Sequence, residues 1–146
     1  MRISKKAEYA LRALGVMARE PKAWRTEELS VREKIPVKFL EQILLTLRHA
    51  GMLSAKRGVG GGYALLRSPQ SISVGEVIRA LDGPLAPVPC VAEKPTERCS
   101  CPDPRTCPVR AVMQEVHRNL SAALDQRSIE DMLRLAGDGG PVAFEI

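Results

Sequence analysis

Aromatic residues are scarce in this 146-residue chain: one Trp, two Tyr and two Phe, 3% of the total. So few rings make a poor single-strand nucleic-acid surface, where successive bases stack on aromatic side chains. Long apolar runs are also missing, and none approaches the roughly 18 residues of a membrane-spanning helix. Residues 1–6 are charged and lead into an amphipathic stretch rather than the apolar core of a secretion signal. A cytoplasmic location with no membrane partner is therefore expected. Histidine is rare too; His49 and His117 have no evident acid or metal partners, and both read as surface residues. Without a nucleophile–base pair, neither an enzyme nor a small-molecule substrate is expected.

Charge is present in quantity and unevenly placed. Residues 1–67 hold 14 Lys/Arg against 6 Asp/Glu, a net of +8, whereas residues 68–146 carry a net of −3. A basic half joined to an acidic one points to a polyanion-binding module beside a different kind of domain. The plain alternative is a solvated charged face. With stacking disfavoured, duplex DNA is the polyanion that fits.

Apolar periodicity organises the basic half. Ser4 caps a helix reaching about residue 20, with Ala7, Ala10, Leu11, Leu14, Met17 and Ala18 on one face and Pro21 as its stop. Thr26 is expected to cap a short second helix running to about residue 33, with Glu27 and Glu28 in its first turn. Lys34-Ile35-Pro36 then turns into a third helix over 37–49, which buries Phe39, Leu40, Ile43, Leu44 and Leu47 and stops at Gly51. Two helices on a tight turn form a helix-turn-helix pattern. Short strands over 52–56 and 63–66 bracket Arg57-Gly58-Val59-Gly60-Gly61-Gly62, a basic glycine loop between strands: a wing. Glycines such as Gly60 permit positive φ and a close approach of backbone to phosphate. A nucleotide-binding loop is disfavoured, because a helix must follow its glycines and a strand follows here. Ser73 and Glu76 form a capping box for a fourth helix ending near residue 82.

Residues 84–108 break this pattern. They contain seven of the eleven prolines and all four cysteines, Cys90, Cys99, Cys101 and Cys107. Such a loop cannot bury enough apolar surface to order itself, so something else should organise it. In a reducing cytoplasm these cysteines suit metal binding or redox chemistry better than structural disulfides. Val109, Val112, Met113, Val116, Leu120, Ala123 and Leu124 then mark one long helix, followed by a short one over 129–135 capped by Ser128. A long helix leaving a small domain buries its stripe against a second copy, giving a homodimer; folding back on its own domain is the alternative. The fold expected is mostly α: a winged helix-turn-helix (1–82), a cysteine loop (83–108), a dimerisation helix with a short last helix (109–135) and a loose tail (136–146).

The stretch Phe39-Leu40-Glu41-Gln42, Ala50-Gly51, Arg57-Gly58 and Gly60-Gly61-Gly62-Tyr63 resembles the Rrf-type regulators, the family of IscR and NsrR. Residues 1–10 and the run Val74-Gly75-Glu76-Val77-Ile78 share the resemblance, which covers about residues 1–135. It implies a dimeric transcription regulator, with repression expected, that reads a palindromic operator in double-stranded DNA. On that likeness Lys38, Glu41 and Gln42 face base edges, and Arg57 enters the minor groove. The chemistry agrees: Gln pairs with adenine, Glu accepts from cytosine, and Arg suits a narrow electronegative groove. For Glu41 the alternative is a surface carboxylate paired with Lys38. For Lys5, Lys6 and Arg48, phosphate contact and simple solvation stand level.

The same resemblance implies an iron–sulfur cluster held by three cysteines, [2Fe–2S] ahead of [4Fe–4S], which senses redox state, nitric oxide or iron–sulfur supply. Zinc sites usually offer Cys-x₂₋₄-Cys pairs, and none occurs here. Cys101-x₅-Cys107 matches the family's last interval and Cys90 is the only first candidate, so the expected ligands are Cys90, Cys101 and Cys107, with Cys99 as the alternative to Cys101. Some relatives use a histidine three residues after the last cysteine; Arg110 stands there and cannot ligate. Others use a first-helix carboxylate from the partner subunit, and Glu8 occupies that position; the alternative is an ordinary carboxylate near the positive end of a helix. Two further readings stay open: a cluster-free thiol- or zinc-dependent regulator, and one controlled by binding a metabolic enzyme.

Overall fold

A computed structural model describes residues 2–95 and 97–137; the rest of the expected tail, 138–146, lies outside the described residues. The first helix, α1 (Lys5–Arg19), starts where Ser4 Oγ accepts from Ala7 N at 3.1 Å. Of its expected face Ala7, Ala10, Leu14 and Met17 are buried and Leu11 and Ala18 are half-buried, while Ala13 and Val16 are buried besides. Small residues on that face let neighbouring helices approach closely.

Helix α2 (Thr26–Glu33) corrects one expectation: Thr26 does not cap it. Arg25 takes the extended capping position, with no side-chain cap. Just upstream Trp24 is held extended by two backbone bonds to Tyr63, 2.7 and 2.8 Å, and Arg25 is the last extended residue, so the chain is already helical at Thr26. Trp24 is itself buried and its indole N–H donates to Glu20 O. The turn to α3 (Val37–His49) uses Lys34 in the left-handed region (φ 54°), with buried Ile35 as its apolar pin. Leu40, Ile43, Leu44 and Leu47 bury one face of α3, and Gly51 (φ 76°) ends it.

Strands β1 (Leu53–Lys56) and β2 (Gly62–Leu65) pair antiparallel, Leu53 opposite Leu65 and Lys56 opposite Gly62. Helix α4 (Val74–Asp82) carries half of the expected capping box. Ser73 Oγ accepts from Glu76 N, but the Glu76 carboxylate binds Arg67 at 2.6 Å instead of reaching back. A charged partner forms the stronger bond, so the guanidinium wins it.

Helices α5 (Pro108–Asp125) and α6 (Ile129–Ala136) complete the described chain. Helix α6 returns to the basic half. Ile129 is fully buried in the same core as Leu14 and Leu47, and Met132 and Leu133 reach Gly15 of α1. Residues 72–74 and 127–129 add a β-type bridge, with Val74 N donating to Arg127 O and Ile129 N to Ile72 O. No residue of α5 is buried, whereas each of the other five α-helices of the described residues places at least one residue in the interior. Six helices and a two-stranded wing among the described residues make the mostly-α winged helix-turn-helix expected.

Candidate DNA interface and thiol site

Helix α3 faces two ways. Its apolar side fills the core, and its other side leaves Lys38, Glu41, Gln42, Leu45 and Arg48 exposed at spacings of three and four, one continuous stripe. Glu41 and Lys38 make no ion pair with each other, so the paired-surface alternative has no support in the geometry. Leu45, 43% exposed, lies among these polar groups. Sequence reasoning passed over it. The signal was present: it falls outside the buried heptad-like face, and apolar contacts in a major groove are made to the thymine methyl.

The wing follows α3 directly, with β1 packed against that helix. Arg57 and Gly60 are exposed, and Gly60 has φ 74°. Arg25 Nη2 donates to Gly58 O, tying the loop to the start of α2. Lys56, Arg57 and Arg25 gather positive charge here, and β1, the loop and β2 contain no acidic residue.

Lys5 and Glu8, expected in different roles, meet in one ion pair. Lys5 Nζ donates to Glu8 Oε2 at 2.7 Å, and Arg12 approaches the other oxygen at 3.9 Å. The Glu8 carboxyl is held below its ordinary value, first by the Lys5 hydrogen bond and then by the charges of Lys5 and Arg12, against the opposing effect of desolvation. Arg12 also binds Glu33, the last residue of α2, through both its carbonyl and its carboxylate. Glu8 lines a cavity with Arg2, Ile3, Ser4, Lys5 and Asp82, separate from the cysteines. Asp82 accepts from the backbone N–H and hydroxyl of Ser4, fastening the start of α1 to the end of α4.

The proline-rich loop draws the cysteines together. Cys90 sits in a short turn (Pro89–Val91) anchored by buried Val91, and Cys107 occupies the capping position of α5. The Cys99 thiol faces those of Cys101 and Cys90, and Cys101 faces Cys99 and Cys107. Cys101 N donates to Cys99 Sγ at 3.4 Å. These contacts split the pair. Hydrogen bonding from Cys101, with the charge of Arg110 adding to it, lowers the Cys99 thiol. Bonding to Cys99, with burial and the neighbouring thiols adding, pushes Cys101 up to about 11. Cys90, Cys99 and Cys107 open onto one cavity of about 280 Å³ with Arg98 and Arg110 on its wall. Among the described residues, no three Cys, His, Asp or Glu side chains are gathered as ligands of one ion.

The sequence profile of the Rrf2 family, described as an iron-dependent transcriptional regulator, matches residues 3–135. The chain belongs to the Rrf2 family. It is 40% identical to the rrf2-like HTH-type transcriptional regulator of Rhodobacter capsulatus over 97% of this chain and 96% of that protein. It is 31% identical to the HTH-type transcriptional repressor NsrR of Streptomyces coelicolor, covering 97% and 93%. The structure of CymR, the global cysteine regulator of Bacillus subtilis, superposes with a TM-score of 0.71 at 26% identity, covering 92% of this chain and 98% of that one. This Rrf2-family protein is thus a DNA-binding transcription regulator and not an enzyme, as its sequence indicates. No helix of the described residues is long and apolar enough to cross a membrane.

One expectation for this Rrf2-family chain needs correcting. His117 is not a plain surface residue: its Nδ1 lies 2.8 Å from Leu85 O and it is half-buried. It fastens the middle of α5 to the start of the cysteine loop. Spacing could not reveal this, because its partner is a backbone carbonyl 32 residues away.

Proposed function

We propose that this Rrf2-family chain is a cytoplasmic, homodimeric repressor that binds a palindromic operator and is gated by an iron–sulfur cluster, [2Fe–2S] ahead of [4Fe–4S]. The observation that carries the gate is the convergence of Cys90, Cys99 and Cys107 on one cavity walled by Arg98 and Arg110. Thiolates beside guanidiniums are the donor chemistry such a cluster needs, and a cluster of several irons is held around its perimeter rather than at one point. The family's description as iron-dependent supports the same reading.

Cys90 and Cys107 are ligands, with Cys101 or Cys99 as the third. The interval to Cys107 favours Cys101; the shared cavity favours Cys99. Glu8 of the second subunit supplies the fourth donor. When bound, the cluster contributes redox and nitric-oxide reactivity, with a labile corner where a carboxylate replaces a thiolate. Within the chain, Glu8 is the switching residue. Engaged by the partner's thiol site, its carboxylate leaves Lys5 and Arg12; released, it returns to them. Arg12 holds the Glu33 carbonyl at the turn that sets α3, so the exchange reaches the reading helix. Lys38, Glu41 and Gln42 meet base edges, Arg57 and Gly60 meet the minor groove, and Lys5 and Arg48 meet phosphates.

The dimer rests on α5. Val109, Val112 and Val116 lie on one stripe of this helix, 59, 57 and 37% exposed, while Met113, His117 and Leu120 turn toward the chain's own domain. An apolar stripe of that length suits a second copy of itself.

Protein purified without oxygen provides the test, through its visible spectrum, its iron and sulfide content, and its affinity for a palindromic duplex before and after cluster removal. A brown protein whose affinity shifts by roughly 5- to 150-fold, an ordinary range for coupled sites, is the expected result. A colourless, zinc-containing or metal-free protein overturns the gate. That outcome favours the second reading, a thiol- or zinc-dependent or enzyme-bound regulator, which the likeness to the cysteine regulator CymR supports.

A further inference from the structure

The wing ends in an apolar side chain that touches nothing in its own chain. Val59 is fully exposed, at 101% of its reference area, between Gly58 (φ 93°) and Gly60 (φ 74°). This tip is held in shape. Gly61 N donates to Gly58 O at 3.0 Å, closing a tight turn, and Arg25 holds the Gly58 carbonyl from the side. A Cβ at Gly61 would stand 2.2 Å from Lys56 O, and one at Gly62 would stand 2.4 Å from Trp24 O, so the loop can close only with glycine there. The result is a preformed hairpin end that projects one branched aliphatic group. Lys56, Arg57 and Arg25 surround its base, with no acidic residue between Leu53 and Leu65.

We propose that Val59 is a specificity-determining contact, placed in the DNA minor groove where it selects A·T pairs and rejects G·C. The inference rests on the reading that the wing engages that groove. Positive charge carries the tip to the phosphates, but charge alone reads no sequence. In the minor groove an A·T pair presents only acceptors, whereas a G·C pair adds the amino group of guanine. Two methyl groups can fill the space above an A·T floor. Over guanine they cover a donor without accepting its hydrogen bond, and an unsatisfied donor is penalised. Arg57, a donor, seeks the acceptors that an A·T floor offers, so the two neighbours favour the same pairs: one seeks acceptors and the other excludes the donor.

The experiment uses the full-length chain and duplexes that it selects from a randomised library. In the segment protected by the wing, A·T pairs are replaced by G·C and then by inosine·C, which lacks the minor-groove amino group and keeps the major-groove face. Wild type is expected to weaken roughly fivefold or more with G·C, the low end of what one mismatched pair costs, and to recover with inosine·C. Val59→Ser, whose hydroxyl accepts from the amino group, and Val59→Gly should both lose the discrimination while the salt dependence of binding stays unchanged. If Val59→Ser discriminates as wild type does, the inference is overturned. A wild type indifferent to the guanine-to-inosine exchange at every position overturns it as well, by showing that the tip reaches no minor groove. Reading by α3 is measured separately, through Gln42→Ala, and its failure would not be mistaken for this one.

Discussion

Arg79 grips Asp125 with both prongs of its guanidinium, Nη1 to Oδ1 at 2.6 Å and Nη2 to Oδ2 at 2.8 Å, and so ties the last residue of α5 to the middle of α4. Gly75 leaves the room for this: a Cβ there would stand 2.1 Å from Asp125 Oδ1. With Ser4 bound to Asp82 at the other end of α4, this helix connects α5 to α1.

The Asp125 carboxyl is held below its ordinary value of 3.8, first by hydrogen bonding from Arg79 and then by that residue's charge, with burial opposing. A carboxyl depressed in the fold stabilises it above the unfolded value, and that stabilisation is lost as pH falls through the folded one. Asp125→Asn should therefore lower stability at neutral pH, by no more than about 1 kcal/mol for so exposed a pair. The gap should close as pH drops below about 3.8. Urea titrations of both proteins across that range check it; a gap unchanged in acid would assign Asp125 a packing role instead.

Much of this was legible in the sequence because it is local. The face of α3, the stop at Gly51 and the hairpin around Gly58–Gly62 all follow from spacing and from glycine's freedom at positive φ. What stayed hidden depends on partners far along the chain. The Trp24–Tyr63 bridge moved the start of α2 by one residue. Arg67 took the Glu76 carboxylate from the capping box. Periodicity shows that α6 has an apolar face, but not that Ile129 seats it in the core of the basic half. The cysteines were visible as candidates, whereas their pairwise contacts depend on how seven prolines bend the loop.

The two close cysteines make a sharp comparison. Cys90→Ser and Cys107→Ser should each abolish iron retention, because each is the only thiol at its end of the loop. Of Cys99→Ser and Cys101→Ser, one should keep most of its iron and sulfide and the other lose it. Loss in Cys101→Ser alone supports the spacing argument, and loss in Cys99→Ser alone supports the cavity. Equal retention in both would mean that either thiol serves.

Helix α5 offers a test of assembly. Val112→Glu places a carboxylate in the middle of the exposed valine stripe, where no buried contact of the chain's own fold is disturbed. The thermal transition of an isolated subunit should survive, while sedimentation should show monomer. Operator affinity should fall by roughly 100-fold, the lower range of what is lost when two tethered binding events become independent. A dimer that persists at micromolar concentration would move the interface elsewhere.

The stripe on α3 separates into readers and holders. Gln42→Ala should weaken binding by about 1–3 kcal/mol and relax preference at one base pair per half-site, since a bidentate pairing with adenine is lost. Arg48→Ala, at the far end of the same stripe, should weaken all duplexes alike and reduce the dependence of log affinity on log salt by about one per contact removed. Leu45, between them, predicts a third pattern. Thymine-to-uracil exchange in the half-site should weaken the wild type and leave Leu45→Ala unaffected, because the methyl group is the only feature exchanged. Binding titrations at several salt concentrations separate the three outcomes. If Gln42→Ala changes the salt dependence but not the base preference, Gln42 is a backbone contact, and the register assigned to α3 in the major groove shifts by about one turn.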